Sequence, residues 1–201
     1  MLFTLDYWRN LRQDAAAWCV GRSWPLRGLL VVALGYMGAQ HVLSEDATDI
    51  FQGVTLAIHE AGHVIFRIFN NEPMAVAGGS IMQLVAPVAL AVSFLKQRDY
   101  FAIGVAGCWL SYSLYGMATY MADARALQLP LVSLGGGGDV IHDWNYLFDM
   151  WGCLSNDMAI ASAVRVVALG MLVASLALSV WCCWLMARSP KVRVEAYPSA
   201  R

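Results

Sequence analysis

Two long stretches without a charge decide most of what this chain can fold into. Tyr100–Ala122 runs for 23 residues and Val166–Ala187 for 22, the second bracketed by Arg165 and Arg188. About 20 apolar residues in a helix cross the roughly 30 Å hydrocarbon core of a bilayer. No water is available there for backbone groups, so a helix, which satisfies them internally, is the form such a stretch takes. Three further apolar runs are Gly28–Leu43, Ile50–Phe66 and Met74–Leu95. Composition agrees, with 59% of residues hydrophobic and 13% charged, against about 45–50% and 25% in soluble domains. The expectation is an all-α integral membrane protein: a multi-pass helical bundle of about four to six spans with an irregular Gly-rich or re-entrant segment.

The flanks divide the chain further. Residues 1–23 mix Leu5, Trp8, Leu11 and Trp18 with Asp6, Arg9, Arg12 and Asp14, as either an interfacial helix or a solvated tail. Those charges interrupt any apolar stretch before Gly21, so the N-terminus does not read as a secretory signal. Residues 24–188 form the transmembrane domain, and 189–201 a basic tail with Lys191, Arg193 and Arg201. Basic residues at both ends prefer the cytoplasm, which requires an even number of crossings. A re-entrant hairpin at Met74–Leu95 gives four, and a dip by residues 140–158 gives six. Five crossings with an external N-terminus is the remaining arrangement.

Within Ile50–Phe66 lies His59-Glu60-Ala61-Gly62-His63, an H-E-x-x-H sequence. Histidines four apart on a helix share one face and can hold a single Zn²⁺. Glu60 falls beside that face, placed to take a proton from a water rather than to coordinate. A chain of 201 residues with four His and four Glu would contain roughly 0.002 such matches by chance. These three are also the only ionisable residues between Asp49 and Arg67. A charge at the bilayer centre costs at least ~2.5 kcal/mol, so their clustering marks a functional site. Ala61 and Gly62 are small enough for a neighbouring helix to approach closely.

The third run contains Gly78-Gly79-Ser80, then Gln83 and Pro87. Irregular backbone here would line a cavity, with Gly79 and Gln83 binding an extended substrate. The other reading is an ordinary span whose glycines pack against a helix. Gly135–Gly138 precede Asp139 and His142-Asp143 without a following Lys-Ser or Lys-Thr, so they are not a phosphate loop. They read as an approach to a short helix with Asp139 or Asp143 near its start.

A catalytic zinc takes three protein ligands and keeps one position open. Beyond His59 and His63 the remaining histidines are His41 and His142, and the nearest carboxylates Asp139, Asp143 and Asp149. His142-Asp143 is the most economical pair: either ligates while the other orients it or the substrate. Otherwise the two simply begin a helix. His41 reads as an interfacial or hydrogen-bonded histidine. The five cysteines form no C-x-x-C pair and read as small buried hydrophobes. A net charge of −1 without a basic stripe gives no reason to expect nucleic acid.

The pentapeptide in an apolar helix, followed by a Gly-rich segment and further spans, resembles the site-2 protease family of intramembrane zinc metalloproteases. By that resemblance His59 and His63 are zinc ligands, Glu60 is the catalytic base, and the substrate is a membrane-embedded or membrane-adjacent protein. The family's third ligand is an aspartate, usually in an Asp-Gly context. No Asp-Gly occurs here, and Asp143 beside His142 stands as its substitute. The chain is thus expected to be a divergent, minimal relative with one zinc per chain. Two rivals use the same residues: a metal-dependent membrane hydrolase of lipid or another small molecule, and a non-enzymatic zinc-binding sensor or assembly factor. A di-iron site needs more carboxylates than the apolar runs provide.

Overall fold

The computed structural model describes residues 5–130 and 141–189. Its helices are α1 (Leu5–Cys19), α2 (Pro25–Leu43), α3 (Gln52–Phe66), α4 (Glu72–Lys96), α5 (Tyr100–Ala122), α6 (Asp143–Met150) and α7 (Asp157–Arg188). No strand occurs among the described residues. Four helices are long and apolar enough to cross a membrane: α2, α4, α5 and the Leu154–Arg188 stretch that contains α7. The expected all-α, multi-pass bundle is what the chain builds. Gly135–Gly138, Asp139 and residues 190–201 of the basic tail lie outside the described residues.

Local chemistry sets the helix ends. Asn71 caps α4 by accepting from the Met74 N–H, with Glu72 in the first turn and Lys96 in the last, each at the favourable end of the helix dipole. Asp99 caps α5 through the Ala102 N–H, and Pro25 opens α2, where its missing N–H leaves nothing unsatisfied.

α5 is the buried centre. α7 runs antiparallel along it through small residues: a Cβ on Gly104 would strike Ser179, and one on Gly107 would strike Ser175. Ser111 also donates to the Ala168 carbonyl at 2.8 Å. Such close approach gives membrane helices the dispersion contacts that replace a hydrophobic driving force. α2 runs parallel to α5, its Arg27 over Phe101 and its Leu34 carbonyl accepting from the Tyr112 hydroxyl. α4 runs antiparallel to α5, Gln83 donating to the Ser113 carbonyl. Outward-facing Leu29, Val32 and Tyr36 on α2, and Val166, Val167 and Val173 on α7, stay exposed, as suits a lipid surroundings.

Two expectations change. The Gly78-Gly79-Ser80 stretch does not break the backbone, because α4 is one continuous helix from Glu72 to Lys96. Its glycines pack against a helix: a Cβ on Gly62 would strike the Gly78 carbonyl, and one on Gly78 would lie 2.7 Å from the Gly62 carbonyl oxygen. The short element is instead α3. At 15 residues it is about 22 Å long, less than a span. It begins where Thr55 accepts from Trp109, near the middle of α5, and ends beside the start of α4.

The bundle therefore has two ends. One gathers the start of α2, the end of α4, the start of α5 and the end of α7. There α1 seats Ala15 and Cys19 against Tyr100, Phe101, Cys182 and Met186. A helix within residues 1–23 is thus present. The other end gathers the end of α5, the starts of α4 and α7, and α6, whose Trp144, Leu147 and Phe148 pack with Val76, Met117, Met121 and Ala161.

Candidate metal centre

The antiparallel α3–α4 pair places His59 and His63 against α4, and α6 delivers Asp143 from the other side. His59 Nε2 lies 3.1 Å from Asp143 Oδ2 and His63 Nε2 lies 3.3 Å from the same oxygen. With bonds near 2.0–2.1 Å, ligand atoms on a tetrahedral zinc are about 3.3 Å apart. The separations fit that edge, and these three are the group of potential metal ligands found among the described residues.

The tautomers follow from the neighbours. Gln83 donates its amide N–H to the Ser113 carbonyl at 3.2 Å, which turns its Oε1 toward His59 Nδ1 at 2.7 Å. His63 Nδ1 lies 2.9 Å from the Ala75 carbonyl oxygen. Both oxygens only accept, so both Nδ1 atoms carry the hydrogen and both Nε2 atoms present lone pairs. Two lone pairs and a carboxylate oxygen then meet with no donor between them. Such an arrangement is stabilised by a cation.

Glu60 is half-buried and faces the same cavity, and it has no ion pair or hydrogen bond among the described residues. The cavity, about 1350 Å³, is lined by α3, α4, α5 and the approach to α3. On α4, Gly79 lies against both imidazoles. A Cβ there would lie 2.6 Å from His59 Nε2 and 2.5 Å from His63 Nε2.

Several sequence-derived roles move. His142 is not among the converging ligands. It is the N-cap of α6, its Nδ1 accepting from the Asn145 N–H at 3.1 Å, while Nε2 faces Asp123 at 3.4 Å. Burial pushes its imidazole below the ordinary value despite the nearby carboxylates, and a neutral ring is what the cap needs. Asp143 alone of the pair reaches the histidines. Gly79 and Gln83 offer no free backbone edge, because α4 is helical there. Gly79 makes room for the rings, and Gln83 orients His59. His41 is hydrogen-bonded, as one reading expected, to Asp49 at 3.0 Å, and stacks on Tyr112. Asp149 lies on α6 apart from the cluster. The sequence reading missed the Ala75 carbonyl and Tyr120, whose hydroxyl accepts from the Asp143 N–H. A backbone acceptor carries no side-chain signal, and a tyrosine in an apolar helix looks like core.

Fold and centre together define a helical bundle of membrane-spanning character with a two-histidine, one-aspartate cluster able to hold one metal ion. No family model matches the chain, and no curated protein or solved structure is significantly similar to it.

Proposed function

We propose that this chain is an intramembrane zinc metalloprotease, a divergent and minimal relative of the site-2 proteases. The observation that supports this most is the convergence of His59, His63 and Asp143 on one point, with Glu60 beside it and without a partner among the described residues. Bound there, zinc would polarise the scissile carbonyl and lower the pKa of the attacking water toward ~7. Gln83 and the Ala75 carbonyl hold the two imidazoles in the ligating tautomer. Glu60 accepts the proton of the attacking water and returns it to the leaving amine. At about 1350 Å³ the cavity exceeds the ~300–1,000 Å³ usual for small-molecule sites, which favours an extended chain over a lipid headgroup. A substrate helix hides its amides in internal bonds, so it unwinds locally before it is cut.

The test is Glu60→Gln. This near-isosteric change cannot accept the proton, and no metal ligand is altered. The purified variant should keep about one zinc per chain while cleavage of a membrane-helix peptide falls at least about 10²-fold. Undiminished turnover by this variant refutes the peptidase reading.

A further inference from the structure

The centre belongs to one end of the bundle, and the two ends differ in charge. Gln83 meets Ser113 nine residues before α5 ends at Ala122, which puts the centre about 13 Å below that end at 1.5 Å per residue. Thr55, on the cavity wall, is bonded to Trp109 near the middle of α5. No residue from the opposite end lines the cavity among the described residues.

Lysines and arginines are distributed unequally. The end remote from the centre holds Arg9 and Arg12 on α1, Arg22 and Arg27 around the start of α2, Lys96 and Arg98 between α4 and α5, and Arg188 at the end of α7. The end with the centre holds Arg67, Arg125 and Arg165 among the described residues. Cytoplasmic segments close to membrane spans carry the excess of Lys and Arg, whereas acidic residues count for little. Seven against three therefore gives the orientation. The four spans agree with it, because α2, α4, α5 and α7 return the chain to the side from which it started.

We infer that the metal centre opens on the non-cytoplasmic side of the membrane, and, resting here on the peptidase reading, that it cuts substrate helices in their non-cytoplasmic half. α3 carries the ligands from mid-depth to that surface and no further. A peptide bond in the cytoplasmic half of a substrate would face the packed contacts of α5 with α7 and α1 instead of the cavity.

Labelling with a membrane-impermeant maleimide tests the orientation without any turnover. The background is the full chain with the half-buried Cys153 and Cys183 replaced by Ala, and the probes are Asp46→Cys at the centre's end and Gln97→Cys at the other, both exposed. Asp46→Cys should label in intact cells, and Gln97→Cys only after permeabilisation. The reverse pattern, or equal labelling of both in intact cells, overturns the inference. Mass spectrometry of products from a membrane-helix substrate then locates the cut. A cut in the non-cytoplasmic half supports the inference, and a cut in the cytoplasmic half overturns it. Because labelling needs no hydrolysis, a failure of the peptidase reading shows as absent products with the labelling pattern intact.

Discussion

Gly79→Ala adds one carbon where the two imidazoles meet. Its Cβ would lie 2.5 Å from His63 Nε2, 2.6 Å from His59 Nε2 and 2.7 Å from His63 Cε1. Non-bonded heavy atoms rest at about 3.5–4.0 Å, so the rings must retreat by roughly 1 Å. They are tethered on their far sides, His59 to Gln83 at 2.7 Å and His63 to the Ala75 carbonyl at 2.9 Å. α3 and α4 are already in backbone contact at Gly62 and Gly78. On propensity alone Ala would stabilise the helix by up to ~1 kcal/mol. Overpacking opposes it by about 1–3 kcal/mol, and each displaced hydrogen bond adds about 0.5–1.5 kcal/mol. Destabilisation wins, by about 1–5 kcal/mol, and loss of the orienting bonds lowers metal affinity at least 10–100-fold. Thermal unfolding in detergent and zinc content read the two effects. Gly170→Ala on α7, with nothing within 4 Å of its Cβ, is the control and should show the small propensity gain. If Gly79→Ala behaves like the control and keeps its zinc, the placement of Gly79 against the ligands is refuted.

Three further substitutions separate the roles around the centre. On the proposed reading Asp143→Asn removes a direct ligand, so zinc affinity should fall by more than the roughly 10–100-fold typical of a supporting bond; competition with a chelator measures it. Gln83→Leu keeps much of the volume but frees His59 Nδ1, and its affinity loss should lie within about 10–100-fold, between those of Asp143→Asn and wild type. His142→Ala should cost about 1 kcal/mol through the lost α6 cap with near-normal zinc, and a metal loss equal to that of Asp143→Asn would restore His142 as a ligand.

The motif was legible because it broke the rule of its surroundings. Three ionisable groups in an apolar run have few explanations, and i, i+4 spacing fixed their geometry before any packing was known. The third member of the cluster was less legible, because His142 and Asp143 are neighbours and spacing does not say which one turns inward. What separates them is the Asn145 N–H, which claims His142 as a cap and so aims the next residue toward α3. Gln83 stood out as the lone amide of its run, but polarity alone did not distinguish a substrate contact from an orienting one. The glycines left two readings open for a similar reason. Close helix approach and a backbone break both favour glycine, and only the partner at Gly62 decides between them.

Span length was the harder quantity. Ile50–Phe66 is as long and apolar as Gly28–Leu43, yet it makes a helix of 15 residues, too short for a span, while the other becomes a helix long enough to cross. Beginning a helix at mid-depth exposes first-turn N–H groups where no bulk water can bond them. The approach to α3 answers this with Asp49, whose Oδ1 accepts from the Phe51 N–H at 2.7 Å and whose carbonyl accepts from the Gln52 N–H at 3.3 Å. A carboxylate is also the favoured charge at a helix N-terminus. Left alone at that depth the carboxylate would be expensive, and His41 partners it at 3.0 Å while stacking on Tyr112 and Tyr115. The histidine and aspartate that flank the first loop are therefore explained by where α3 has to start. A helix started at the surface would have carried His59 and His63 to a different depth, out of register with Gln83 and Asp143.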